Sequence, residues 1–365
     1  MKKTFSRILF SFLLLCVAAA AVVLALLNER EAPRIELVSP IEFLAIEQTI
    51  PFVVRDDKSG IRAVSVTVEQ DGRRYTILDR SWPRRGWFSH GGENVYNQTV
   101  TVKSNELGLR DGRADLIVTA RDFSLWNFMA GNVSTLRRPV IVDTSRPKVR
   151  LLDAPRSIAA GGSGMVRYRV NEPLAAHGVV LNGLFHPGVP VRPEDDRTLA
   201  AMLALPYDAE RVEECYLTAT DRAGNTVRVP FSLKVRPRRP RYDRITVSDR
   251  FLAGKLPEFA GMIDLPEGAP LDQYLYLNRE ERRKNNEKIR SITSVATPKR
   301  FWNGPMKRLP RSSRRAGFAD RRSYFYQGRL IDKQVHLGID LASVRQAPVP
   351  AAAAGTVVFA DYLGI

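Results

Sequence analysis

The feature that most constrains this fold is an alternation of apolar and polar residues that recurs in short segments between residues 33 and 236. Residues 64–68 and 166–170 both show it, with valine or tyrosine at every second position. Because successive side chains of a strand point to opposite faces, a period of two predicts a strand with one buried face. Asp71-Gly72 favours a two-residue hairpin turn between two such strands. Short strands separated by turn signals predict antiparallel β-sandwiches.

A break in this pattern at Asp143–Pro147 divides the strands into two sets. We therefore predict one β-sandwich over residues 33–143 and a second over 147–236, ending with one strand over 227–235. The turn Asp221-Arg222-Ala223-Gly224-Asn225 before that strand resembles turns of bacterial immunoglobulin-like modules in exported proteins. Asp221 and Asn225 could contact a cation, but turn formation explains both residues more simply.

The N-terminus predicts a membrane segment. Residues 1–7 form a basic cytoplasmic head, and residues 8–27 contain no charge over a length that can cross a bilayer as a helix. Since basic flanks stay in the cytoplasm, the rest of the chain is expected in the periplasm or outside the cell. A cleaved signal peptide is the alternative, but residues 26–29 form a poor cleavage site, which favours an anchor in the inner membrane.

The net charge of +17 predicts an acidic neighbour, either nucleic acid, anionic lipid or an anionic wall polymer. An exported chain does not meet chromosomal DNA, so no nucleic-acid partner is expected. Cys215 is the only cysteine beyond the membrane segment, so no disulfide is expected within the exported part. Its stability must come from ordinary apolar cores.

Residues 237–310 are predicted to be a basic linker that contains a helix over 271–290. Within and beyond it, residues 299–322 hold nine Lys or Arg and one acid, Asp320, interleaved with aromatic residues. Two interpretations stay open. This stretch is either a basic connecting segment that leads into the next domain or a basic surface that attracts anionic wall polymer.

The C-terminal residues carry the pattern with chemical meaning. His336 and Asp340 are four apart around Gly338, and imidazole and carboxylate are both zinc ligands. The segment Gly317–Arg322 precedes them, and the segments 348–351 and 355–360 follow.

Together these motifs resemble the opening half of a lysostaphin- or LytM-type zinc metallopeptidase domain, over residues 311–365. The resemblance implies that His336 and Asp340 are the first two ligands of a Zn2+ ion. It also implies that a later H-x-H supplies the third ligand and a histidine that polarises the water. Members of this family typically cut the peptide cross-links of peptidoglycan, which is the partner that the resemblance implies.

The chain departs from the family because it contains no H-x-H. Its other histidines, His90, His177 and His186, are isolated, so no general-base residue can be assigned. Two protein ligands do not make a tight zinc site. We therefore expect weak zinc binding and an inactive chain that represents the first part of a domain. Gly355 predicts a turn followed by a strand over 357–360.

The predicted fold class is mainly β. It comprises an N-terminal transmembrane helix, two immunoglobulin-like β-sandwiches, a short helical linker and the first part of a LytM-type peptidase domain. Three functions remain open: a membrane-anchored zinc endopeptidase of the cell wall, a non-catalytic relative that binds the wall or activates hydrolases, and a scaffold or adhesive protein.

Overall fold

The computed structural model describes residues 10–19, 22, 29–84, 92–259, 261–295, 297 and 299–364. The described chain is mainly β and divides into two compact units. The first unit comprises Met1–Pro147 together with Thr220–Thr226, and the second comprises Lys148–Ala219 together with Val227–Ile365.

Residues 10–19 form helix α1, within the predicted membrane segment. Residues 8–9, 20–21 and 23–27 of that segment lie outside the described residues. In the part of the chain that the structure describes, no helix combines the length and apolar character needed to cross a bilayer. The anchor over residues 8–27 stays a prediction.

Beyond α1, the described residues of the first unit up to Val142 form eight strands and two short helices. These are β1 (Arg34–Leu37), β2 (Phe43–Leu44), β3 (Glu47–Arg55), β4 (Ile61–Gln70), β5 (Arg73–Ser81), β6 (Val95–Lys103), α2 (Ser104–Leu107), β7 (Gly112–Asp122), α3 (Trp126–Met129) and β8 (Val133–Val142). One sheet has the order β1-β3-β6 and the other has the order β2-β8-β7-β4-β5.

One apolar core receives side chains from both of these sheets, which makes the unit a sandwich. Phe52 and Val100 come from the three-stranded sheet, and Val66 and Val118 come from the five-stranded sheet. The alternation predicted for residues 64–68 is confirmed, since every second side chain is buried. The hairpin turn is also confirmed, because Asp71 and Gly72 have φ values of 51° and 77°, the positive angles that such a turn requires.

A second β-domain of nine strands follows, and all of it except Thr220–Thr226 belongs to the second unit. These are β9 (Val149–Asp153), β10 (Ser157–Ala159), β11 (Ser163–Val170), β12 (Leu174–Leu181), β13 (Leu184–Arg192), β14 (Asp195–Ala204), β15 (Cys215–Asp221), β16 (Thr226–Pro230) and β17 (Lys234–Arg236). Seven of them form one sheet in the order β16-β15-β12-β13-β14-β11-β9, while β10 and β17 form a parallel pair. The two layers share one core.

The prediction of one strand over residues 227–235 was wrong. The chain forms β16 and β17 instead, because Pro230 has no N–H group with which to continue the ladder. Leu233 then turns into the core with only 6% of its surface exposed. The backbone N–H of Lys234 donates to the carbonyl of Arg156 at 3.0 Å, so the last strand joins a different sheet.

The C-terminal part of the second unit mixes helices and strands. These are β18 (Tyr242–Val247), α4 (Asp249–Lys255), a 3-10 turn (Leu256–Phe259), α5 (Pro270–Tyr276), a π-helical turn (Leu277–Glu281), α6 (Arg282–Thr293), β19 (Ser313–Ala316), β20 (Asp320–Tyr326), β21 (Arg329–His336) and β22 (Asp340–Ala342). Strands β18, β20 and β21 form one sheet, and β19 pairs with β22.

The description of residues 237–310 as a linker needs correction. Strand β18 pairs in parallel with β20, so this segment supplies an edge strand to the sheet that contains His336. The predicted helix 271–290 is present, and Tyr274 and Leu277 on one of its faces are buried against Tyr324 of β20. The physical reason is that the few apolar residues of this segment complete a small core of their own.

Residues 343–364 contain neither a helix nor a strand. The strand predicted over 357–360 is therefore wrong, and none of the described strands pairs with it. Val349 and Val357 are 84% and 79% exposed, so the apolar side chains that suggested a strand contribute little to a core.

Candidate metal centre

The structure brings the two predicted zinc ligands together. His336 ends β21 and Asp340 begins β22, and the short loop between them contains Gly338. The Nε2 atom of His336 lies 3.2 Å from Oδ1 of Asp340. The imidazole side chain is largely buried, while the carboxylate is about half exposed. The pair therefore faces solvent on the carboxylate side.

A backbone carbonyl fixes the orientation of the His336 ring. Nδ1 of His336 lies 2.8 Å from the carbonyl oxygen of Gly317. Because a carbonyl oxygen only accepts, we assign the proton to Nδ1, which leaves a lone pair on Nε2 of the neutral ring. Nε2 is the ring atom next to the carboxylate of Asp340, and a cation shared by the two residues would lie between these atoms. Metal-binding histidines commonly have this arrangement, in which the second nitrogen donates to a carbonyl.

The turn that carries Gly317 is held by Asp320. Asp320 is buried, and its Oδ2 atom accepts a hydrogen bond from the N–H of Gly317 at 2.7 Å. The N–H of Ala319 donates to the carbonyl of His336 at 2.7 Å, which ties the turn to the strand end. The sequence analysis used Gly317–Arg322 only as part of the family resemblance, and it predicted neither this turn nor the role of the Gly317 carbonyl in orienting the ring.

Arg322 holds the other oxygen of Asp340. Its Nη2 atom donates to Oδ2 at 3.1 Å, which leaves Oδ1 facing the imidazole. This contact fixes the carboxylate, but it also places a positive charge close to the candidate cation position. Coulomb repulsion from the guanidinium weakens the binding of any cation there.

The two donor groups fit zinc in type and separation. Zinc bonds of about 2.0–2.1 Å at a tetrahedral angle place two ligand atoms about 3.3 Å apart, close to the observed 3.2 Å. A catalytic zinc ion needs three protein ligands. Within the described residues, no third Cys, His, Asp or Glu atom lies close enough to share a cation with this pair. The fit is therefore partial, with two ligands of three.

The other histidines lie elsewhere in the chain. His177 and His186 belong to β12 and β13, and burial lowers the pKa of both imidazoles. Nδ1 of His177 lies 2.7 Å from the hydroxyl of Tyr168. His90 lies outside the described residues.

The turn formed by Asp221 and Asn225 is a closed hydrogen-bonded unit. Asn225 donates its backbone N–H to Oδ1 of Asp221 at 2.9 Å and its side-chain amide to Oδ2 at 3.0 Å. The same amide donates to the carbonyl of Asp143 at 2.8 Å. Since both oxygens of Asp221 accept from Asn225, this geometry supports the turn interpretation and fixes the segment that leads into the second β-domain.

The first β-domain contains the same device, which the sequence analysis did not identify. Asn132 donates its N–H to Oδ1 of Asp122 at 2.7 Å and its amide to Oδ2 at 2.8 Å. The amide also donates to the carbonyl of Glu29, in the segment that leads into this domain. The shared signal was Ala-Gly-Asn before a strand, at 130–132 and 223–225. We call each arrangement an Asp–Asn clamp.

Glu29, Asp56 and Asp122 form a carboxylate cluster in the first unit, with oxygens within 4.8 Å of one another. Burial raises the pKa of Glu29 and of Asp122, with smaller contributions from neighbouring carboxylates. Backbone donors occupy the cluster, since Oδ1 of Asp56 accepts from the N–H of Gly60 at 2.7 Å and Oδ1 of Asp122 accepts from the N–H of Ser124 at 3.0 Å. Its role is to organise loops.

No protein-family model matches this chain, and no curated protein matches it. Among solved structures, it is similar to SGBP-B of the Bacteroides ovatus mixed-linkage glucan utilization locus, in complex with a mixed-linkage heptasaccharide, at 14% identity and a TM-score of 0.17, covering 60% of this chain and 51% of that one. It is also similar to an ICAM-5 D1–D4 ectodomain fragment at 13% identity and a TM-score of 0.24, covering 56% and 54%. Murine CEACAM1b gives 11% identity and a TM-score of 0.24, covering 56% and 100%. The chain thus spans about half the length of the first two, and scores this low carry no inference about its function.

Proposed function

We propose that this chain belongs to a membrane-anchored, zinc-dependent endopeptidase of the LytM type that acts on peptidoglycan cross-links. One observation carries the proposal. The Gly317 carbonyl holds the His336 ring with its Nε2 lone pair facing Oδ1 of Asp340, at a separation suited to two zinc ligands.

In this proposal each residue has a defined task. His336 and Asp340 would hold the metal, Gly317 fixes the tautomer of the imidazole, and Arg322 fixes the carboxylate. A bound zinc ion would supply a water whose pKa is lowered to about 7 and would polarise the scissile carbonyl. The H-x-H that the family resemblance implies does not occur in this sequence, so no residue of this chain is assigned as general base.

The proposal also includes the finer assignments of fold and place. Residues 8–27 would anchor the chain in the inner membrane, on the sequence argument alone, with the rest in the periplasm or outside the cell. The two β-domains would be immunoglobulin-like spacers, which is supported by the Asp–Asn clamps that fix the segment entering each of them.

A non-catalytic wall-binding or hydrolase-activating protein is the second candidate. It is favoured by the count of two ligands among the described residues and by the guanidinium of Arg322 beside them. Both features weaken metal binding while leaving the surface free to bind wall material.

Zinc titration of the whole chain by calorimetry tests the metal assignment. We expect one weak site, because two protein ligands are provided. His336→Ala and Asp340→Ala should each abolish it, while Asp264→Ala, which removes an exposed carboxylate from the same unit, should leave it unchanged. Zinc binding that survives both ligand substitutions would show that the site lies elsewhere.

The catalytic half of the proposal is tested separately, by incubating purified peptidoglycan with the chain and zinc and analysing the released peptides. Cleavage that disappears in His336→Ala supports a peptidase. Cleavage unaffected by this substitution refutes the assignment. Binding to peptidoglycan without cleavage at saturating zinc is the result expected of two metal ligands and no assigned general base. If such binding were also unchanged in His336→Ala, the non-catalytic candidate would be favoured.

A further inference from the structure

A groove of about 680 Å³ lies in the second unit beside the candidate metal centre. Its walls come from α6, β20 and β21, together with Tyr207 and Tyr242. Its volume lies in the range of about 300–1,000 Å³ that is typical of small-molecule sites. It is too large for a single inorganic ion and fits a compact organic ligand.

The charge of the groove is uniformly positive. The lining includes five cationic side chains and no Asp or Glu; the cations are Arg282, Arg290, Arg321, Arg322 and Lys333. Residues 282 and 290 are eight apart on α6 and lie on one face of the helix. Such a concentration of one charge in a concave site focuses the field on an anion.

The nearest carboxylates neutralise only one of these five charges, that of Arg322. Asp340 is bound by Arg322 at 3.1 Å, and Asp332 is bound by Arg279 at 3.1 Å. Within the described residues, no carboxylate forms an ion pair with Arg290 or Lys333. The groove therefore presents positive charge that its own protein surroundings leave uncompensated.

Arg282 gives a second, independent indication of an anion site. Its Nη2 atom donates to Oδ1 of Asn278, a neutral partner, at 3.1 Å. Its Nε atom is buried and has no hydrogen-bond partner among the described residues. A buried donor without an acceptor is costly, so the protein surroundings leave Arg282 incompletely satisfied.

The neutral lining indicates what else the ligand carries. Asn286, Gln334 and Ser323 offer amide and hydroxyl groups, and the rings of Tyr207 and Tyr242 stand at the walls. Tyr242 is 68% exposed, and the guanidinium of Arg321 lies 5.8 Å from its ring centre. Amides, hydroxyls and exposed rings suit a molecule with many hydroxyl groups, while arginine forks suit phosphate.

We propose that this groove binds a phosphorylated saccharide, with the phosphate held by Arg282, Arg290 and Lys333. The proposal goes beyond the peptidase function, because it uses neither zinc nor His336. It also places a recognition site for an anionic glycan component next to the candidate metal centre.

The test is calorimetric titration of the whole chain with glucose 1-phosphate at low salt. We expect saturable binding that weakens as salt is raised, since the interaction is ionic. The double substitution Arg290→Gln/Lys333→Gln should weaken binding at least tenfold. Arg250→Gln, an exposed arginine of α4 that is outside the groove lining, should bind as the wild type does. Unchanged thermal melting of the double variant shows that it is folded.

Further probes decide the class of ligand. Glucose should not bind, and inorganic phosphate should bind more weakly than the sugar phosphate. Equal affinity for inorganic phosphate and glucose 1-phosphate would show that the groove recognises only the anion. That result would overturn the saccharide assignment. A single-stranded oligodeoxynucleotide that binds tenfold more tightly, through the same two cations, would overturn it in favour of nucleic acid.

The result of the sugar-phosphate titration can be distinguished from the result of the tests of the peptidase proposal. His336→Ala should retain sugar-phosphate binding, and the groove double variant should retain zinc binding. Undiminished binding of glucose 1-phosphate by the double variant would refute the groove assignment, whatever the zinc titration shows.

Discussion

The titratable groups whose pKa is shifted by burial differ between the two units, and they include carboxylates in the first unit and imidazoles in the second. The first unit buries carboxylates, and Asp122 accepts from three protein donors, two on Asn132 and one on Ser124. The second unit contains the half-buried imidazole of His177, which lies within hydrogen-bond distance of the hydroxyl of the fully buried Tyr168. Equal satisfaction of hydrogen bonds can thus produce opposite responses to acid, because one group is an acid and the other a base.

Close packing enforces the arrangement in the second unit. A Cβ atom at Gly188 would collide with the hydroxyl of Tyr168 and with the ring of His177. Strand β13 can therefore cover this pair only with glycine at that position. The first unit has no such requirement at Asp122, because backbone N–H groups of loops approach its carboxylate directly.

The strongest effect is expected from Asp122→Ala. This substitution leaves the N–H groups of Ser124 and Asn132 without their acceptor, at a cost of about 2–4 kcal/mol in the free energy of unfolding. Amide exchange should report the loss in β7 and β8, and not in β11 and β14 of the second unit. Asp221→Ala is the matched variant and should cost less, since Asp221 accepts from Asn225 alone. If Asp122→Ala reduced amide-exchange protection equally in both units, the contrast between the units would be wrong.

A smaller effect is expected from Tyr168→Phe. The buried Nδ1 atom of His177 loses its partner, which should cost about 1–2 kcal/mol in unfolding free energy. Lost protection from amide exchange should be confined to the strands around β11. Tyr216→Phe, in the same unit, is the control, because its hydroxyl forms no side-chain hydrogen bond among the described residues. If Tyr168→Phe and Tyr216→Phe lose the same amide-exchange protection, the stabilising role of the Tyr168–His177 hydrogen bond is wrong.

These predictions depend on details that sequence could supply only in part. Strand β4, the turn at Asp71-Gly72 and the helix over 271–290 were predictable because their signals are local: a period of two, positive φ at a Gly, and apolar residues on one helix face. The proximity of His336 and Asp340 was also predictable, since only a short loop separates them. Each of these features depends on residues close together in the chain.

The features that the sequence analysis did not predict depend on residues that lie far apart in the chain. The pairing of β18 with β20 leaves no local pattern, so a strand of the C-terminal sheet was interpreted as part of a linker. The orienting carbonyl of Gly317 could not be found either, because a backbone oxygen has no residue-type signal. The first Asp–Asn clamp was missed because its loop is longer than that of the second.

The weakest effect is expected on mild acidification from pH 7 to 5.5, which should change the stability of the two units in different directions. Burial lowers the pKa of His177 and His186, so their contribution to stability is complete above the unfolded pKa, about 6.5, and is lost as pH falls below it. Burial raises the pKa of Glu29 and Asp122, so their contribution is present at low pH and is lost as pH rises.

The second unit should therefore lose stability over this interval while the first does not. Amide exchange in each unit, corrected for intrinsic rates, measures the difference. His177→Gln should flatten the dependence in the second unit. Parallel loss of stability in both units would contradict the assignment of opposite signs.

The place of β18 has a practical consequence for anyone who wishes to study the C-terminal region by itself. An expression boundary drawn at residue 311, where the peptidase resemblance begins, would delete this strand and expose the bare backbone edge of β20 to self-association. A boundary near residue 237 keeps the strand, both helical stretches and the aromatic cluster that they cover.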